Sequence, residues 1–121
     1  MEYSRIPLMN LCREGAIKLK VFNDELHCGS DFTRRYVADG HDFTGATAVM
    51  KVRTENDIEL VAADCTVDGD SVTVRIPGER SREIPRRYRI AKYDVFVQKN
   101  DEYSYKLVMG DMRIIYDESM H

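Results

Sequence analysis

The chain is expected to be all-β, folded as one small antiparallel sandwich of seven or eight strands behind an irregular N-terminal arm. Three observations carry this. From residue 16 onward, apolar and polar side chains alternate with period two in short runs, as strands with one buried and one wet face require. Turn dipeptides such as Asp39-Gly40 and Asp68-Gly69 separate those runs. No amphipathic helix of about ten residues stands between them, which argues against a parallel sheet covered by helices.

Residues 1–15 show neither the strand nor the helix period, and Pro7 and Gly15 interrupt them. They are read as the arm, with one helical turn around residues 10–14, and residues 16–121 as the domain. Ile17, Leu19 and Val21 alternate with Lys18 and Lys20 until Asn23-Asp24 stops the first strand. Residues 31–38 form the second, with Phe32, Tyr36 and Val37 as its apolar members and Asp39-Gly40 as its turn. In the third, Ala46, Ala48, Met50 and Val52 alternate with Thr47, Lys51 and Arg53. Residues 58–67 come next, and Asp68-Gly69 turns the chain into residues 71–76, where Val72, Val74 and Ile76 alternate with Thr73 and Arg75. Pro77-Gly78 ends that strand. Residues 79–90 are charged, contain Pro85 and read as a crossover with room for a short helical turn. Residues 93–98 and 103–109 make a last hairpin across Lys99-Asn100-Asp101-Glu102, and Gly110-Asp111 permits a bend before residues 112–116.

A length of 121 residues supports one hydrophobic core and not two. With 43% hydrophobic and 32% charged residues and a net charge of −3, the chain has no global attraction to nucleic acid. Trp is absent, and seven Tyr and four Phe suit half-buried strand positions. Pro7, Asn10, Arg13 and Glu14 break the N-terminal apolar run before it has the form of a secretory signal. Nor does any segment approach the roughly 18 apolar residues of a membrane-spanning helix. The expectation is a protein made and kept in the cytosol with no membrane partner. Cys12, Cys28 and Cys65 are an odd number at spacings that match no zinc or redox motif, so reduced, packed thiols are expected.

Catalysis needs a nucleophile, a base or a metal set. His27 adjoins Cys28, but neighbours on a strand point to opposite faces and diverge. His41 and His121 have no comparable neighbour. Asp64, Asp68 and Asp70 lack the alternate ligand positions and the closing Glu of a calcium loop, and read as hairpin-turn residues. The glycines are dispersed at turns and form no phosphate cradle. No catalytic, cofactor or metal residue is expected. One segment stands out: Arg80, Arg82, Arg86, Arg87, Tyr88, Arg89 and Lys92, opposed within that stretch only by Glu83. Such a run suits a solvated loop, a contact with a protein partner, or phosphate binding with Tyr88 stacking on a base. The acidic net charge weighs against the last of these.

The stretch Asp39-Gly40-His41-Asp42-Phe43-Thr44-Gly45-Ala46-Thr47-Ala48-Val49-Met50-Lys51-Val52-Arg53 resembles a signature of small immunoglobulin-like domains in tailed-phage virion proteins. Baseplate upper proteins and head-fibre and tail adaptors carry such domains. The same order continues with Val72 to Ile76-Pro77, a polar crossover, Tyr93-Asp94-Val95-Phe96-Val97, a turn, and the Gly-containing run from Leu107 to Ile114. The resemblance covers roughly residues 16 to 118. It implies an immunoglobulin-like sandwich in which the Phe43-Thr44-Gly45 corner tucks an aromatic ring under the sheets and Tyr93 ties its hydroxyl to a neighbouring loop.

What the resemblance implies for function is a non-enzymatic virion structural or adaptor protein, attached to capsid, tail or baseplate by protein contacts, without cofactor. Its partners would be other virion proteins, in a homo-oligomer or a hetero-assembly, and its place the virion, after synthesis in the host cytoplasm. The alternative is a small carbohydrate- or ligand-binding β-sandwich, for which Tyr103 and Tyr105 share a strand face. Assembly would rest on the arm, the basic crossover and unpaired strand edges.

Overall fold

The computed structural model describes residues 4–7 and 19–116. Two sheets pack face to face. The first holds β1 (Ser4–Pro7), β4 (Phe32–Val37), β8 (Ser71–Ile76) and β7 (Asp64–Asp68), hydrogen-bonded in the order β1-β4-β8-β7. The second runs β2 (Lys20–Val21), β10 (Tyr103–Tyr116), β9 (Ile90–Lys99), β5 (Thr47–Arg53) and β6 (Glu59–Ala62), with β3 (Asp24–Cys28) also on β10. The antiparallel triplets β4-β8-β7 and β5-β9-β10 reproduce the immunoglobulin order, in which second, fifth and fourth strands face third, sixth and seventh. Among the described residues, parallel pairing is confined to the edges, where β1 joins β4 and β2 and β3 join β10.

Alternation places the core as the sequence implies. Met50 and Val52 on β5, Val72, Val74 and Ile76 on β8, and Val95 and Val97 on β9 are fully enclosed between the sheets. Each buried aliphatic side chain of this kind contributes about 1.5–3 kcal/mol relative to an exposed one. Phe43 is also fully enclosed. Gly45 takes φ +86°, and the Asp42 carboxylate accepts from the Thr44 N–H and hydroxyl, so the expected corner feeds β5. Gly69 takes φ +58° in the tight turn between β7 and β8.

Four element boundaries differ from expectation. Within the expected arm, Ser4–Pro7 forms β1; the helical turn around residues 10–14, and Cys12, lie outside the described residues. Asn23-Asp24 interrupts the first strand without ending it. The Asn23 side chain accepts the Asp111 N–H at 3.0 Å in place of a ladder bond, and the chain resumes as β3 with Leu26 and Cys28 buried. The expected strand over residues 58–67 divides at Ala63, whose N–H donates to the Met50 carbonyl at 3.0 Å while the chain passes from the six-stranded to the four-stranded sheet. Small side chains at Ala62 and Ala63 fit that corner. Finally, β10 continues through Gly110-Asp111 without a bend. The irregularity comes earlier, between Lys106 and Val108, where a β-bulge buries both Leu107 and Val108 and reverses the alternation after it.

Gly110 serves a different purpose from a bend. A Cβ there would strike the Phe22 carbonyl, so glycine is what lets the β2–β3 segment lie against β10. That carbonyl accepts the Tyr93 hydroxyl, fulfilling the expected tyrosine tether. Behind it, Arg34 makes a two-pronged hydrogen bond to Asp24, 2.9 Å on each prong, and stacks over Phe32. The edge strand β3 is thereby locked to β4 across the end of the sandwich.

Candidate interaction surfaces

The crossover from β8 to β9 begins with α1 (Gly78–Ser81), a single turn preceded by Pro77. Two hydrogen bonds fasten it. The Gly78 N–H donates to Asp31 Oδ1 at 2.8 Å, and Ser81 Oγ accepts the Gly29 N–H at 2.9 Å. Gly78 allows this approach, because a Cβ would collide with the Gly29 backbone. Hydrogen bonding to Gly78 holds the Asp31 carboxyl below its usual range, with Arg75 adding to the effect. Ile84 is buried beneath the loop. At the far end, the Tyr116 hydroxyl lies 2.6 Å from the Pro85 carbonyl and 2.8 Å from that of Tyr88, and the Ile114 N–H donates to the Arg89 carbonyl at 2.8 Å. Burial raises the Tyr116 hydroxyl to about 12, so it remains a donor throughout the neutral range.

The seven residues singled out in the sequence do not form one patch. Arg80 turns to the β7 edge, where it donates to the Ala62 carbonyl at 2.9 Å and to both Asp64 oxygens at 3.2 Å. Arg82 is exposed at the end of α1. Lys92 sits on β9, on the outer face of the other sheet, in register with Arg53 and Asp111. Arg86, Arg87, Tyr88 and Arg89 do come together. Arg86 and Arg89 each lie 5.9 Å from the Tyr116 ring, and Arg87 lies 4.7 Å from the Tyr88 ring while donating to its hydroxyl at 3.0 Å. Each exposed stack is worth about 0.5–1 kcal/mol. Among the described residues, none of Arg82, Arg86, Arg87 and Arg89 forms a salt bridge to a carboxylate. Tyrosine rings therefore lie beside these guanidinium groups, and among the described residues no carboxylate pairs with them.

A second surface was missed by sequence reasoning. The outer face of the six-stranded sheet carries Val21, Val49, Ile90, Phe96 and Met109, all exposed. Val49 and Phe96 are register partners, and Lys106 on the next strand lies 5.3 Å from the Phe96 ring. Beside this ridge runs a groove of about 520 Å³ between Val21, Met109, Arg53, Lys92 and Lys106, passing over the paired backbones of Tyr93 and Gly110. Asp94 in the groove is ion-paired to Arg53. The signal was present in the sequence: Val49 and Phe96 fall in the wet phase of strands whose other phase is already apolar.

The chemical candidates resolve as follows. His27 and Cys28 point to opposite sides of β3, the first exposed and the second buried, and burial pushes the Cys28 thiol up. Asp64 is engaged by Arg80, and the Asp68 and Asp70 carbonyls accept from Ser71 and Ala38 in the hairpin. Among the described residues, no three His, Cys, Asp or Glu side chains converge as a metal set. Tyr103 and Tyr105 stack at 4.9 Å, but His41 covers them edge-on at 5.6 and 5.9 Å and itself lies 4.7 Å from Phe43. They close one end of the sandwich. His121 lies outside the described residues. No protein-family model matches the chain, and no curated protein matches it.

Proposed function

We propose that this chain is a non-enzymatic structural adaptor of a tailed-phage virion, joined to capsid, tail or baseplate by protein–protein contacts and working in an oligomer or hetero-assembly. The virion setting rests on the ordered sequence resemblance. Its motifs coincide with the elements that build the sandwich: the Phe43-Thr44-Gly45 corner, the Ile76-Pro77 end of β8, Tyr93 on β9 and Gly110 on β10.

One observation carries the adaptor role. Arg86, Arg87 and Arg89 are exposed on a crossover whose backbone is pinned to both sheets, without carboxylate partners among the described residues, and each lies within reach of a tyrosine ring. Exposed arginines on a held backbone, beside half-buried tyrosine rings, are the composition of an anchor for an acidic protein surface.

The test is the triple variant Arg86→Glu, Arg87→Glu, Arg89→Glu, produced alongside the particle proteins. A folded variant that no longer joins particles, while the parent does, supports the reading. Equal incorporation of the two would reduce the crossover to a solvated loop, and absence of the parent itself from purified particles would sink the virion setting.

A further inference from the structure

We infer that the outer face of the six-stranded sheet docks a second copy of this chain, with the Phe96 ridge of each copy seated in the groove of the other. The inference rests on the reading that the protein works through protein contacts, and it names a surface and an occupant. Size is the first support. The six strands differ in length from the two residues of β2 to the fourteen of β10, and at ~3.3 Å per residue and ~4.8 Å between strands they present a face of about 660 Å². A stable dimer of standard size buries roughly that area per partner.

Shape is the second. An isologous contact must be self-complementary, so a projecting feature and its receptacle have to lie on the same face. Here they do. Val49 and Phe96 form the ridge, and the groove opens where Lys92, Arg53 and Asp111 stand in register, four residues along β9 or about 13 Å away. A two-fold axis lying in the interface plane, crossing β9 midway between them, turns the two faces toward each other and brings each ridge over the other copy's groove.

Chemistry is the third. The groove walls include Arg53, Lys92 and Lys106 together with Asp57, Asp94 and Asp111, with Asp94 paired to Arg53, and a phenyl ring entering beside Lys92 and Lys106 is attracted to them through its face. The chain already makes this contact internally, with Lys106 over Phe96. Val21 and Met109 supply the apolar side of the receptacle. Uncharged Thr47, Gln98 and Ser104, in register beyond the ridge, provide a polar rim.

Light scattering and sedimentation of the full chain between roughly 1 and 200 μM, the range of a modest interface, decide the matter. The parent is expected to move from the mass of one chain to that of two as concentration rises. Phe96→Lys and, independently, Val49→Lys are expected to stay at one chain, and Thr66→Lys on the outer face of the other sheet to follow the parent. A parent of one-chain mass throughout, or a Phe96→Lys protein that still doubles its mass, overturns the inference. Should Phe96→Lys fail to fold, Val49→Lys and the parent series decide alone. A monomeric parent that nevertheless joins particles would refute self-association and leave the adaptor reading intact. A parent that dimerises through this face but is absent from particles would do the reverse.

Discussion

Replacing Tyr116 by Phe isolates the hydroxyl that fastens the basic crossover. The ring stays, so the stacking of Arg86 and Arg89 is retained, and only the contacts to the Pro85 and Tyr88 carbonyls at 2.6 and 2.8 Å are lost. One hydroxyl has one proton, so these two distances amount to a single shared hydrogen bond, worth about 1 kcal/mol. Pro85 is exposed and Tyr88 half-buried, so water reaches the released carbonyls and the penalty for a dry, unpaired acceptor is avoided. At this chain length about 1 kcal/mol corresponds to a fall in Tm of about 4 °C. Urea unfolding followed by circular dichroism measures the first quantity and a thermal scan the second. Amide exchange supplies the local readout, because the Ile114 N–H donates to the Arg89 carbonyl and should exchange faster relative to the core amides of β8. Stability unchanged within about 0.3 kcal/mol, together with unaltered exchange at Ile114, would refute the claim that Tyr116 holds the crossover.

Four further substitutions test the scaffold. Gly110→Ala places a methyl group against the Phe22 backbone carbonyl, which has no flexible end to move aside, and should cost more than about 2 kcal/mol by parting the β2–β3 segment from β10. Gly40→Ala, with open space but φ +83°, should cost only about 1 kcal/mol, and equal losses in the two variants would show the steric argument to be wrong. Arg34→Met leaves the Asp24 carboxylate, largely enclosed, without its partner and should destabilise by about 3 kcal/mol in urea titrations. His41 has a buried Nε2 without a hydrogen-bond partner, and burial holds its pKa below the usual 6.5, with Asp42 opposing. The native state therefore binds fewer protons than the unfolded chain, so His41 makes stability fall as pH drops below about 6.5. His41→Phe should be more stable than the parent, by a wider margin at pH 5 than at pH 8; parallel pH profiles would contradict the assignment.

Strand positions were legible where alternation and turn chemistry agreed. Residues 71–76 are β8 as expected, because Asp68-Gly69 and Pro77-Gly78 bracket a clean period-two run. β3 was hidden, because Asn23-Asp24 is ordinarily a terminating pair, and here the Asn23 side chain substitutes for the missing ladder bond only because β10 lies alongside. The division at Ala63 was equally hidden, since both halves of residues 58–67 are strands and nothing local says that they belong to different sheets. Of the basic run, Arg86, Arg87, Tyr88 and Arg89 lie together on the crossover. Arg80 and Lys92 lie apart from them, because a turn of helix and a strand send those side chains to Asp64 and to the outer face of the six-stranded sheet.

An all-β, two-layered chain, and the inward side chains of β5, β8 and β9, could be read from the amino-acid sequence. Those properties follow from local periodicity, which each strand carries independently of its neighbours. Tertiary structure decided what lies on the surface. The placement of Arg86 and Arg89 depends on Tyr116 arriving from the end of β10, and the ridge and groove on the six-stranded sheet depend on the register among β5, β9 and β10. Register and crossover placement are set by contacts between residues far apart in the chain, so no single segment specifies them.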